Sequence, residues 1–156
     1  MTFEKTAGGS YGAKMPGANS GFAKWINRMM IKRFRRKGGD GPGGMDMLVL
    51  TTIGARSGQP RETLLGSFPD GDTCWLVVAS AAGSASNPAW YHNIAAHPDD
   101  VEVEVGGRKI RVSATQLSGG DREDAWRKIT ATQPRYAGYA TKTDRMIPVI
   151  RLEAAR

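Results

Sequence analysis

Apolar residues recur along this chain with two different periods. From Phe22 to Phe34 they fall three and four apart, at Phe22, Trp25, Ile26, Met29, Met30 and Phe34, which is the spacing of one helical face. Asn19 or Ser20 supplies a cap, so residues 19–37 are expected to form an amphipathic helix. Beyond residue 45 the pattern changes to short apolar and β-branched runs bounded by Gly, Pro or Asp. Met45–Thr52 and Arg61–Phe68 flank a tight turn, and Pro69-Asp-Gly-Asp72 leads into a third run, Thr73–Ala79. The short turns predict an antiparallel meander.

Val101–Val112 reads as a hairpin closed by Gly106-Gly107. Counting outward pairs Glu104 with Lys109, Val103 with Ile110, Glu102 with Arg111 and Val101 with Val112, so one face is charged and the other apolar. Asn87 and Pro88 suit the cap and first position of a helix that stops at His97-Pro98. A further helix is expected from Asp121, turning Trp126 and Ile129 inward and limited by Pro134. Tyr136 and Tyr139 follow, three apart and on one face if helical. Met146–Leu152 closes the chain as a strand, which Pro148 should place at an edge or a bulge. The order of elements predicts a mainly β, α+β fold, a small antiparallel barrel with helices across its openings.

Composition refines this reading without changing it. The 156 residues, 40% of them apolar, suffice for one compact core. Residues 1–18 have no sustained period and are expected to be flexible, and 38–44 read as a Gly-rich linker, leaving 45–152 as the body. With no apolar run of transmembrane length and no signal-peptide centre, the expected location is cytoplasmic. The lone cysteine, Cys74, lies in an apolar run and reads as a buried strand thiol. The formal charge of +7 is concentrated in one place: Lys24, Arg28, Lys32, Arg33, Arg35, Arg36 and Lys37 carry it, and without them the basic residues balance the 15 acids. Such a helix either packs on the core or lies on an anionic membrane with Phe22 and Trp25 inserted, giving peripheral contact through residues 20–37 on the inner face of the cell membrane. No element suited to reading nucleic acid accompanies the charge.

Two loops carry candidate chemistry. Gly54-Ala-Arg-Ser-Gly-Gln-Pro-Arg61 joins two strands and offers Arg56, Ser57, Arg61 and backbone N–H groups against one nearby acid, Glu62, which suits phosphate or carboxylate. Small residues at 80–83 would let a ligand approach the backbone, and the helix start at Asn87–Ala89 offers unpaired N–H groups. His92 and His97 lack a third ligand, so no metal is expected.

Leu50–Arg61, Asn87-Pro-Ala-Trp-Tyr-His-Asn93, Ala96-His-Pro98 and Thr143-Asp-Arg-Met-Ile-Pro148, in that order, resemble the deazaflavin (F420)-dependent nitroreductase family, which has an FMN-binding-like split β-barrel. The resemblance implies that reduced coenzyme F420 passes a hydride to an electron-poor acceptor, a quinone such as menaquinone or an activated enone. It implies cofactor contacts from Ala55, Arg56, Ser57 and Arg61 toward the phosphate and oligoglutamate tail. Val78, Ala79, Ser80, Ala81, Ala89, Trp90, Tyr91 and Asn93 would line the remainder. Ser80, Tyr136 and Tyr139 are the implied catalytic groups, orienting the acceptor or relaying a proton.

Two departures stand out. Ala55 and Ala81 occupy positions where the family often has basic residues, implying a looser hold on the tail. Gln133 stands where nitroimidazole-activating members have the first of three tyrosines, which argues against nitroimidazole reduction. An FMN-dependent split-barrel oxidoreductase and a non-catalytic F420-binding or membrane-associated carrier are the alternatives.

Overall fold

The computed structural model describes Phe3 and residues 5–12, 21–38 and 46–155. Its centre is one antiparallel sheet: β1 (Met47–Ile53), β2 (Pro60–Gly66), β3 (Phe68–Pro69), β4 (Cys74–Val78), β5 (Val101–Val105), β6 (Arg108–Gln116) and β7 (Val149–Ala154). The helices are α1 (Gly21–Arg36), α2 (Ala89–Ala96), α3 (Gly119–Thr132) and α4 (Arg135–Ala140). Strand order is β2-β1-β5-β6-β7-β4-β3. The two ends of that order, β2 and β3, are consecutive in the chain with Ser67 between them, so the sheet must curl until its edges approach. This is the split β-barrel.

The expected meander does not form. β1 and β2 pair from Met47↔Gly66 to Ile53↔Pro60, but β4 pairs with β3 and β7 at the other end of the order. Buried Ser67 donates its N–H to the Asp46 carbonyl at 2.9 Å, and the chain crosses the seam there. The expectation for Pro148 is also corrected. β7 is an interior strand between β6 and β4, and Pro148 precedes it, so its missing N–H removes no ladder bond. The β5–β6 hairpin has the counted register, with Gly106 and Gly107 at φ 56° and 78°.

Alternation along the strands fills two layers. Leu48, Leu50, Trp75, Val77, Val103, Ile150 and Leu152 share one cluster on one face of the sheet. Val49 points the other way, onto Ile31 and Phe34 of α1, while Leu76 and Val78 meet Ile129 of α3. Burial on both faces explains the nearly continuous apolar runs of β1 and β4.

α1 is therefore bound to the barrel by only part of its apolar surface. Ile31 and Phe34 are buried, whereas Phe22 and Trp25 are 69% and 52% exposed and Met29 and Met30 are exposed beside them. Asn27 donates to the Glu62 carbonyl, and Arg35 bridges Glu104 at 3.0 Å and Glu62 at 2.5 Å. That pairing with Glu104 and then Glu62 raises the Arg35 pKa and holds the guanidinium charged.

Phe3 and residues 5–12, expected from the sequence to be flexible, lie against the barrel. Phe3 packs on Tyr91, Gly9 N–H donates to the Ala85 carbonyl at 2.8 Å, and Thr143 Oγ1 donates to the Tyr11 carbonyl. The rest of the 1–18 segment, and 39–44 of the expected linker, lie outside the described residues.

Candidate functional site

The β1–β2 turn is built by its own backbone. Gly54 N–H donates to the Gln59 carbonyl at 2.8 Å, and Gly58 N–H donates to the Gly54 carbonyl at 2.9 Å. A Cβ on Gly54 would meet Ser57 Oγ, so glycine there lets that hydroxyl keep its place in the turn. Ser57 Oγ accepts from Gln59 N–H, and Arg61 reaches it at 3.4 Å. Arg56 and Arg61 are exposed and make no ion pair among the described residues; Glu62, the nearby acid, is taken by Arg35. The turn is thus a cationic surface without its own counter-charge.

α2 ties this turn to the second loop. Asn93 Oδ1 accepts from Ala55 N–H at 3.0 Å, and its Nδ2 donates to Thr52 Oγ1 at 3.1 Å. The helix begins at Ala89 with Pro88 as its cap residue, one position later than the sequence suggests, because the Asn87 side chain is committed elsewhere. Its Oδ1 accepts from Arg145 and its Nδ2 donates to the Thr6 carbonyl.

Between β4 and α2 the chain takes an uncommon path. Ser80 is right-handed (φ −76°, ψ −35°), but Ala81, Ala82 and Gly83 follow at φ 43°, 52° and 82°. Two alanines in the left-handed region are costly and must be held by their surroundings. A right-handed residue followed by a left-handed one aims successive N–H groups into a shared concavity, and those of Ala81 and Ala82 meet no protein acceptor among the described residues.

α4 lies against this loop: a Cβ on Gly83 would come within 2.8 Å of the Tyr139 carbonyl. Tyr136 and Tyr139 pack edge to face at 5.6 Å, Tyr136 also against Phe68, and Lys142 lies 5.8 Å from the Tyr139 ring centre. Among the described residues neither hydroxyl is hydrogen-bonded to protein. Burial, then the neighbouring Tyr139, pushes the Tyr136 phenol up, so it stays protonated and able to donate at neutral pH.

The predicted site residues divide by what their side chains do. Ala55, Arg56, Ser57, Arg61 and Ala89 are placed as follows: the first four are exposed on the turn and Ala89 opens α2, while Ser80 and Ala81 are half-buried. Val78, Ala79 and Trp90 are buried in the core. Tyr91 is fully buried, its hydroxyl accepting from Thr6 N–H at 2.7 Å and donating to Gln116 Oε1 at 2.5 Å, so it anchors the N-terminal segment. Asn93 has both amide ends engaged, with Ala55 and Thr52. Burial, then Lys5, keeps His92 below the usual imidazole range. Sequence reasoning placed Arg145 within a motif but gave it no task. It is 5% exposed and donates to three carbonyls of the second loop.

A family model described as F420H(2)-dependent quinone reductase matches residues 25–154. An F420H(2)-dependent quinone reductase of Mycobacterium tuberculosis (strain ATCC 25618 / H37Rv) is 40% identical over 112 residues, covering 70% of this chain and 74% of that protein. Among solved structures, an F420-H2 dependent reductase is 37% identical with a TM-score of 0.62, over 69% of this chain and 93% of the other. A structure described as a domain-swapped dimer is 34% identical with a TM-score of 0.65, over 84% and 98%. With the match spanning most of its length and the same barrel beneath it, the chain belongs to the F420H(2)-dependent quinone reductase family.

Proposed function

We propose that this chain reduces a quinone with reduced F420 held between the β1–β2 turn and the Ser80–Gly83 loop. The observation that carries the placement is the pair of uncompensated arginines, Arg56 and Arg61, on a turn that Asn93 fixes to the helix leading out of the second loop. Guanidinium groups bind phosphate and carboxylate in bidentate fashion, which fits a polyanionic tail. The free amides of Ala81 and Ala82 and the start of α2 offer further donors for the ring.

When bound, reduced F420 supplies the hydride. The protein's share is placement and proton handling. Tyr136 and Tyr139, on a helix packed against the Ser80–Gly83 loop, hold hydroxyls that can orient a quinone oxygen and donate the accompanying proton. Ser80, half-buried at the start of that loop, carries a further hydroxyl that could serve the acceptor. Titrating the protein with oxidised F420 and, in parallel, with FMN tests the cofactor: saturable fluorescence quenching by F420 with none for FMN is expected. Binding of FMN alone would favour the FMN-dependent reading.

A quinone dissolved in lipid also requires access from a membrane surface. No helix among the described residues is long and apolar enough to span one. The exposed face of α1, with Phe22 stacked on Trp25 at 6.1 Å and Lys24, Arg28, Lys32 and Arg33 nearby, supports peripheral contact with anionic lipid. Because Ile31, Phe34 and Arg35 hold the barrel, deletion of the helix is a poor test and point changes are a better one. Phe22→Ser with Trp25→Ser should weaken binding to phosphatidylglycerol-containing vesicles by about tenfold or more while the melting temperature holds. Unchanged vesicle binding would remove the helix from any membrane role.

A further inference from the structure

Arg145 is a buried cation with no carboxylate partner among the described residues. Its Nε donates to the Ser84 carbonyl at 3.0 Å, Nη1 to the Ala79 carbonyl at 3.0 Å and to Asn87 Oδ1 at 2.5 Å, and Nη2 to the Ser80 carbonyl at 2.8 Å. The adjacent acid, Asp144, turns away and accepts from the Ser10 hydroxyl, Ser10 N–H at 2.8 Å and Tyr11 N–H at 3.2 Å. Burial accordingly pulls the Arg145 pKa down, although an arginine stays charged at any physiological pH. Its four acceptors span the loop on both sides of Ala81, Ala82 and Gly83, the segment with left-handed backbone.

The geometry points to Arg145 as a positioning residue that sets coenzyme affinity by fixing the Ser80–Gly83 loop in its left-handed form; this rests on the coenzyme placement proposed above. Holding the carbonyls before and after the loop leaves the alanines little choice of conformation. Arg145 also draws electron density through two peptide groups. The carbonyl of Ala79 shares its peptide with Ser80 N–H, and that of Ser80 with Ala81 N–H, so a cation on each oxygen makes those N–H groups stronger donors toward a ligand. The N-terminal segment backs this arrangement. A Cβ on Gly9 would collide with Asp144 Oδ1 and fall 3.0 Å from Arg145 Cβ, and one on Gly12 would collide with Ala85 N.

The test compares Arg145→Lys, Asn87→Ala, Ala82→Gly and the two doubles that add Ala82→Gly, by F420 fluorescence titration and thermal melting. At a temperature well below each melting midpoint nearly every molecule is folded, so an arginine that only stabilises would leave the dissociation constant unchanged. The expected result is a rise in that constant of about tenfold for Arg145→Lys, and a smaller rise for Asn87→Ala, which removes one acceptor and keeps the guanidinium. Ala82→Gly alone should change little, yet in either double it should recover much of the loss, because glycine adopts the left-handed form without being held there. Asn87→Ala with its double decides the matter should Arg145→Lys not fold. Wild-type affinity in folded Arg145→Lys and Asn87→Ala, or a loss that glycine does not recover, overturns the inference. Arg61→Ala in the same titration separates the two layers. If it binds as tightly as wild type, the placement falls and this inference with it; if it weakens while Arg145→Lys and Asn87→Ala do not, the clamp alone falls.

Discussion

Replacing both Arg56 and Arg61 by Ala should weaken F420 binding by about 100-fold or more, since hydrogen bonds to charged groups are worth about 1.5–3 kcal/mol each. Both side chains are exposed and lack an acidic partner among the described residues, so their loss should cost the fold little. The effect should depend on salt, as it does for exposed charges. A deazaflavin stripped of its phosphate and glutamate tail supplies the control. It should bind the double variant and the wild type about equally, because the tail is what the turn would hold. Fluorescence titration with both ligands checks this, and equal loss for both would place the arginines nearer the ring than the tail.

Turnover should respond as strongly to a different pair. Tyr136→Phe with Tyr139→Phe should lower kcat by about 100-fold, the lower end of what a positioned general acid contributes. Coenzyme affinity should hold, because neither hydroxyl lies on the β1–β2 turn. Each ring is retained, so the edge-to-face packing with Phe68 persists and stability should change little. Burial raises the Tyr136 pKa, so the hydroxyl is protonated across neutral pH and loss of a donor, not of a charge, is what the substitution tests. Steady-state rates with a soluble naphthoquinone measure it; an unchanged kcat would leave the tyrosines as packing residues.

Much of this architecture was legible in the chain, and what escaped has identifiable physical causes. The Val101–Val112 register could be counted because a two-glycine turn and strict alternation fix a local hairpin. The seam could not. β4 pairs with β7, far along the chain, and nothing in Phe68-Pro69 announces that the strand changes neighbours at Ser67. α1 was recognisable as amphipathic, but its apolar residues form two faces, one on Val49 and one exposed, and only the neighbouring sheet divides them. Residues 1–18 read as flexible, yet a Cβ on Gly12 would meet the backbone of Gly83–Ala85 and one on Gly9 would meet the Asp144 carboxylate and Arg145. At the site, the arginines of the β1–β2 turn were readable from donors without acids. Arg145 was not, because its partners are mostly main-chain carbonyls that carry no sequence signature. Tyr91 and Asn93, expected along the ligand, also make contacts the sequence did not announce, with Thr6, Gln116, Thr52 and Ala55.

Whether hydride passes from reduced F420 to a quinone at this site can be reached in one single-turnover experiment. Reduced F420 bound to the protein without oxygen would be mixed with a naphthoquinone, and the returning visible absorbance of the oxidised coenzyme followed. Rapid reoxidation that saturates with quinone, and that Tyr136→Phe with Tyr139→Phe slows, is the expected outcome. Tight coenzyme binding with reoxidation no faster than in protein-free solution would contradict the proposed reaction and leave a carrier in place of a reductase.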